Sequence, residues 1–231
     1  YPFCPLGVTA CDASFPDAME GGDTPSNRIW SVTADSEDLE TGTSTTDNFV
    51  FAPDARNAPD VYSLRGWIGV PSDGVNDWAK GCVMARFGLD DQAPYYAVCR
   101  PADNHGPFVQ WRSLGCNGAC GTASSSASSE EDIVFVRLDV RRARGHTTVQ
   151  GFSSVDDVNW QPLSGPQSFP TDLSAVGFAA SSHGSPAVKF LYGGLTMTAN
   201  GGDAVPWQPI PVRFNIGDVR SSVVEELTRH R

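Results

Sequence analysis

Two stretches, Gly81-Cys82-Val83-Met84-Ala85-Arg86-Phe87 and Tyr95-Tyr96-Ala97-Val98-Cys99, decide how this chain folds. Bending the chain about Asp90-Asp91 sets Cys82 opposite Cys99, Val83 opposite Val98 and Ala85 opposite Tyr96. In that register Val83, Ala85, Phe87, Tyr96 and Val98 share one face, and Met84, Arg86, Tyr95 and Ala97 share the other. Alternation with period two is the mark of an antiparallel hairpin with one face in a core. A Cys82–Cys99 bridge would pin the register. The other four cysteines also fall as local pairs, which predicts Cys4–Cys11 clipping the N-terminal segment and Cys116–Cys120 closing a tight loop. Three bridges imply an oxidising compartment. The chain is therefore expected to be secreted, extracellular or at the cell surface. No cysteine or histidine spacing fits a zinc site.

Outward from the hairpin, strand-like runs recur at 28–33, 47–52, 61–70, 107–114, 133–141, 147–153, 175–181 and 187–198. Turn signals separate them, supplied by 23 Gly and 17 Pro scattered through 231 residues. Many short strands without helical periodicity predict an all-β, two-sheet antiparallel sandwich. The Ser-rich stretch Thr122 to Asp132 reads as a mobile surface loop. Beyond Pro206, Pro209 and Pro211, Ser222-Val-Val-Glu225 resembles a capping box, and Val219, Val223 and Leu227 form a stripe, which predicts a short C-terminal helix. Three regions result: a disulfide-clipped extension over 1–27, the sandwich over 28–200, and a Pro-rich linker with the helix over 201–231.

The net charge of −11 argues against nucleic acid as a partner. No run of about 18 apolar residues is present to span a membrane. The chain opens at Tyr1 without a Met, as a mature or excised product would.

Several motifs in order resemble the concanavalin A-like lectin/glucanase superfamily, and within it the laminin-G-like accessory domains of bacterial extracellular proteins. These are Cys82-Val-Met-Ala-Arg-Phe-Gly with Tyr95-Tyr-Ala-Val-Cys-Arg, then Val136-Arg-Leu-Asp-Val-Arg-Arg leading to Ser154-Val-Asp-Asp-Val-Asn-Trp160, then Ala175-Val-Gly-Phe-Ala-Ala-Ser-Ser-His183. The resemblance spans roughly residues 28–200 and implies a jelly-roll sandwich. Asp157-Val158 stands where the pattern has Asp-Gly, which implies a longer or rebuilt turn; Trp160 is expected to cover an end of the core.

Catalytic members of that superfamily carry alternating carboxylates on one strand. Glu37-Asp38-Leu39-Glu40 and Glu130-Glu131-Asp132 do not have that form, so no catalysis is expected. A sugar site needs an aromatic platform with hydrogen-bonding partners. Arg86, Tyr95, Trp111 and His105 are the residues expected to supply it, with Trp67 and Trp78 as further aromatic candidates. A calcium site would draw on Asp73, Asp77, Asp90 and Asp91 from two loops, because calcium takes six to eight oxygens; no other cofactor is implied. The leading expectation is a non-catalytic module that binds a glycan or polysaccharide. The alternative is a structural subunit that assembles with itself or other chains through its termini. A glycoside hydrolase is the third.

Overall fold

The structure, a computed structural model, describes residues 29–34, 49–53, 60–69, 76–88, 93–102, 105–113, 121–124, 133–183 and 188–206. Its strands are β1 (Ile29–Ala34), β2 (Phe49–Pro53), β3 (Val61–Gly69), β4 (Lys80–Arg86), β5 (Tyr95–Pro101), β6 (Phe108–Arg112) and β7 (Gly121–Ser124). They continue with β8 (Ile133–Ala143), β9 (His146–Ser154), β10 (Gln161–Pro162), β11 (Gln167–Phe169), β12 (Ala175–Ser181), β13 (Val188–Ala199) and β14 (Ala204–Pro206). One sheet runs β1-β13-β3-β8-β9-β10, with β11 beside β9 and β14 beside β13; the other runs β2-β12-β4-β5-β6-β7. Every pairing is antiparallel. The fold is an all-β sandwich of two sheets in the jelly-roll manner. The expected C-terminal helix lies outside the described residues, as does the whole N-terminal extension.

The hairpin forms in the expected register: Cys82 faces Cys99, Val83 faces Val98 and Ala85 faces Tyr96. The disulfide joins Cys82 to Cys99 across 4.0 Å between Cα atoms. Cys4, Cys11, Cys116 and Cys120 lie outside the described residues. Between the sheets, Val83, Ala85, Tyr96, Val98 and Val109 pack against Leu64, Val136, Leu138, Phe190 and Tyr192. Tyr192 crosses this interface, and its hydroxyl donates to the Ala179 carbonyl at 2.6 Å. Tyr96 crosses the other way and accepts the Gly151 backbone N–H at 2.9 Å.

Two expectations are corrected here. Gly121–Ser124, placed mostly in a mobile loop by its Ser-rich composition, is a strand whose backbone pairs with Phe108–Trp111. The turn before Trp160 is not enlarged. The Asp156 carboxylate accepts the backbone N–H groups of Val158 and Asn159 at 2.9 and 2.7 Å. Asp157 then occupies the glycine position of the pattern, with φ 59°. Asp tolerates this left-handed conformation better than most residues. The motif therefore reads one residue earlier than the sequence suggested, and its turn is intact.

Candidate functional site

The outer face of the six-stranded sheet holds a polar row. Lys80 Nζ donates to Gln110 Oε1 at 3.3 Å, and Gln110 Nε2 donates to the Tyr95 hydroxyl at 2.6 Å. The Arg112 guanidinium lies 4.9 Å from the Tyr95 ring centroid, and Arg86 sits directly across the strand pair from Tyr95. Arg86 and Tyr95 are 0% exposed, and Lys80 and Arg112 scarcely more. The sequence placed Arg86 and Tyr95 on the non-core face correctly, but that face is also buried. As they stand, neither side chain meets solvent to contact a ligand. Trp111 points the other way, packs against the inter-sheet core and stacks on Tyr96 at 6.2 Å between ring centroids. The four expected ligand residues therefore do not form one site.

His105 belongs to a different place, the end of the six-stranded sheet where β4 begins and β5 ends. There Asn76 builds an Asx turn, its Oδ1 accepting the Trp78 backbone N–H at 2.9 Å. The Ala79 N–H closes the same turn on the Asn76 carbonyl at 2.9 Å. Asn76 Nδ2 reaches across to donate to the His183 carbonyl at 3.2 Å, tying in the turn that follows β12. His183 takes φ 50° and its N–H donates to Ser181 Oγ. The segment after β5 is anchored by Arg100, which donates to the carbonyls of Pro101 at 2.7 Å and His105 at 3.3 Å. These bonds hold Trp78 and His105 together, ring centroids 5.0 Å apart and tilted by 42°.

Trp78 is 50% exposed, and it is the sole aromatic among the large, exposed hydrophobic residues described. An indole half in water and fixed by its own backbone turn offers a flat apolar face beside hydrogen-bonding groups, with exposed Asp77 in the same turn. That combination suits a ligand with one apolar face and a polar edge. Asp73, Asp90 and Asp91 lie outside the described residues, and among the described residues no group of three or more His, Cys, Asp or Glu converges to hold a metal. The role of Asn76 was missed in the sequence, where only Asp73 and Asp77 of this stretch were singled out. An Asn two residues before a Trp was the available signal.

Trp67 and Trp160 lie on the outer face of the eight-stranded sheet. The Trp67 indole lies over Gly193 and Gly194, where an added Cβ on Gly193 would run into the ring. Trp160, expected to cover the core end, instead sits on this outer face, 5.0 Å from the Arg137 guanidinium.

No protein-family model and no curated protein sequence matches the chain. Solved structures do share its fold. A functionally unknown protein from Saccharomyces cerevisiae is 14% identical over 82% of this chain and 97% of that one, with a TM-score of 0.55. A bifunctional GH43-CE protein of Bacteroides eggerthii is 10% identical over 76% of this chain, with a TM-score of 0.50; the match spans 22% of that longer protein. A GH131 β-glucanase catalytic domain from Podospora anserina is 13% identical over 90% of this chain and 89% of that one, with a TM-score of 0.47. At these identities the likeness to the first two is one of fold.

Proposed function

We propose that this chain is a non-catalytic binding module for a glycan or polysaccharide, and that the ligand lies on Trp78 beside His105. The observation that carries the reading is the half-exposed indole of Trp78, fixed by the Asn76 turn and flanked by His105. The C–H face of a pyranose packs on such a ring, and its hydroxyls find Asp77 and His105 at the edge. The notion of a laminin-G-like accessory domain agrees with this role. The Cys82–Cys99 bridge supports a secreted or cell-surface setting. Among the described residues no helix is long and apolar enough to cross a membrane.

Three of the seven described carboxylates are held in local structural contacts, which supports the non-catalytic reading. Asp156 caps its turn. Asp139 accepts from Ser63 Oγ at 2.6 Å, and Asp157 lies 3.4 Å from Arg65. Each is engaged in a local structural contact.

The test is a screen of immobilised glycans followed by calorimetry on the best ligand. Trp78→Ala is expected to weaken binding by at least about tenfold, roughly 1.4 kcal/mol, with an unchanged melting temperature. Binding retained in this variant would remove Trp78 from the site. Turnover of the ligand by the wild type would refute the non-catalytic reading.

A further inference from the structure

We propose that the outer face of the eight-stranded sheet is a second carbohydrate-contact surface, which takes a neutral polysaccharide chain lying across the strands with Trp67 and Trp160 as its platforms. This rests on the reading of the chain as a glycan-binding module and adds a polymeric ligand held at two places. The first observation is the seat of Trp67. The register sets Trp67 opposite Gly193, and β13 bulges between Gly193 and Thr196, with Gly194 at φ 61°. Glycine takes that left-handed conformation without strain. A Cβ on Gly193 would run into the indole; one on Gly194 would lie 3.2 Å from Cδ1, and one on Gly69 3.3 Å from Cζ3. Both rings of the indole are therefore laid along the sheet, over three positions that carry no side chain. Trp67 is half-buried. With one face on backbone, its exposure belongs to the opposite face and the rim, which is the surface that the C–H face of a sugar needs.

The second observation is the set of polar groups around the rings. Arg65 Nε donates to Thr196 Oγ1 at 3.2 Å, and Ser63 Oγ donates to Asp139 at 2.6 Å. Arg65 pairs with Asp157 at 3.4 Å and Arg137 with Asp139 at 3.1 Å. The Arg137 guanidinium also lies 4.0 Å from the Phe152 ring centroid and 5.0 Å from that of Trp160. Groups already held in this way lose little freedom when they meet sugar hydroxyls. Each of the two arginines is balanced by a carboxylate of its own chain, so the face offers hydrogen bonds without a surplus charge beside the rings, and the sugar it suits is neutral. The cores of protein–protein interfaces are depleted of charged residues. Here charged and hydroxyl side chains are interleaved with the rings, which matches the hydroxyl rims and C–H faces along a sugar chain.

The third observation is placement. From β3, which carries Trp67, to β9, whose Phe152 shares Arg137 with Trp160, is two strand spacings, about 10 Å. That span is longer than one sugar ring, so the ligand is an extended chain. Across the sandwich, Gly81 packs on Ile68, since a Cβ on Gly81 would lie 3.0 Å from Ile68 Cγ2. Trp78 stands just before Gly81 and Trp67 just before Ile68, so the two platforms belong to the same end of the molecule. One polymer meeting both gains affinity by avidity, whereas a short sugar on Trp78 does not.

The test is binding of the full chain to cellulose, chitin, mannan, xylan and mixed-linkage β-glucan, and to the trisaccharide of each, from about 0.05 to 0.5 M salt. The wild type is expected to bind one of the polymers with an affinity that salt leaves unchanged. Trp67→Ala is expected to weaken polymer binding at least about tenfold and to leave trisaccharide binding unchanged, whereas Trp78→Ala weakens both. Trp160→Ala, whose ring lies outside the hydrophobic core, is expected to act as Trp67→Ala does, and it carries the test if Trp67→Ala lowers the melting temperature. Polymer binding as tight in both of these variants as in the wild type overturns the proposal. So does a wild type that binds none of the polymers, or one released from them as salt rises. Wild-type oligomers in sedimentation velocity that Trp67→Ala abolishes would give the face to a protein and also overturn it. Polymer binding lost in Trp67→Ala with none lost in Trp78→Ala would sustain this surface and refute the Trp78 site.

Discussion

Single residues set the distance between the two sheets. A Cβ on Gly151 would lie 2.5 Å from Val109 Cγ1 and 2.8 Å from Val98 Cγ2, both on the opposite sheet. Gly151→Ala is therefore expected to cost about 1–3 kcal/mol by overpacking, read as a lower midpoint in chemical denaturation. Two buried tyrosines make a contrast. Burial pushes both phenols well above their ordinary range. The Tyr192 hydroxyl donates to Ala179, whereas that of Tyr62 has no hydrogen-bond partner among the described residues. Tyr192→Phe should cost about 1–2 kcal/mol and Tyr62→Phe should be neutral or stabilising; equal losses in the two variants would contradict this assignment. At the hairpin turn, the backbone N–H of Asn159 foremost, then the Asn159 side chain, the Val158 N–H and Ser154, hold the Asp156 carboxyl well below its ordinary 3.8. A depressed folded pKa stabilises above the unfolded value and is lost as pH falls. The stability gap between wild type and Asp156→Asn should therefore be full at neutral pH and shrink below about pH 4. A gap constant from pH 7 to pH 2 would show that the turn does not depend on the charge.

At the scale of elements, the hairpin of β4 and β5 was readable because two features agreed: alternation with period two and a cysteine at each end of the register. The disulfide closes a separation of 17 residues. Cys82→Ala/Cys99→Ala is expected to lose about 3 kcal/mol, with the sandwich retained by circular dichroism. The long strands β3, β8 and β9 were readable from alternation alone, which runs along most of their length, and β13 from its first five residues, ahead of the register shift between Gly193 and Thr196. β10, β11 and β14 were not, because two or three residues carry no period. β7 was missed because Gly121-Thr-Ala-Ser124 has loop composition, and its order comes from backbone pairing with β6. The site was less legible than the fold. Alternation told which face Arg86 and Tyr95 occupy but not that this outer face is buried, since burial there depends on contacts distant in sequence. The same limit applied to Trp160, whose motif was visible while its neighbour Arg137 was not.

For the whole molecule, the sandwich brings an aromatic platform to one end and an aromatic–cationic face to one side. From Lys80, beside Trp78, to Arg86 is six residues along one strand, about 20 Å. Residues grouped in the sequence reading as one sugar site are therefore spread along the length of the sheet, and Trp111 is on its far side. Among the described residues, the Trp78–His105 end combines an exposed aromatic with segments held by hydrogen bonds. The most direct measurement is a two-dimensional NMR titration of the labelled protein with the best glycan ligand. The account predicts that the Trp78 indole Nε1–H and the His105 ring shift together with the Asn76 side-chain amide, while Tyr95, Arg86 and Arg112 stay unmoved. Shifts confined to Arg86, Tyr95 and Arg112 would place the ligand on the buried polar row and contradict it.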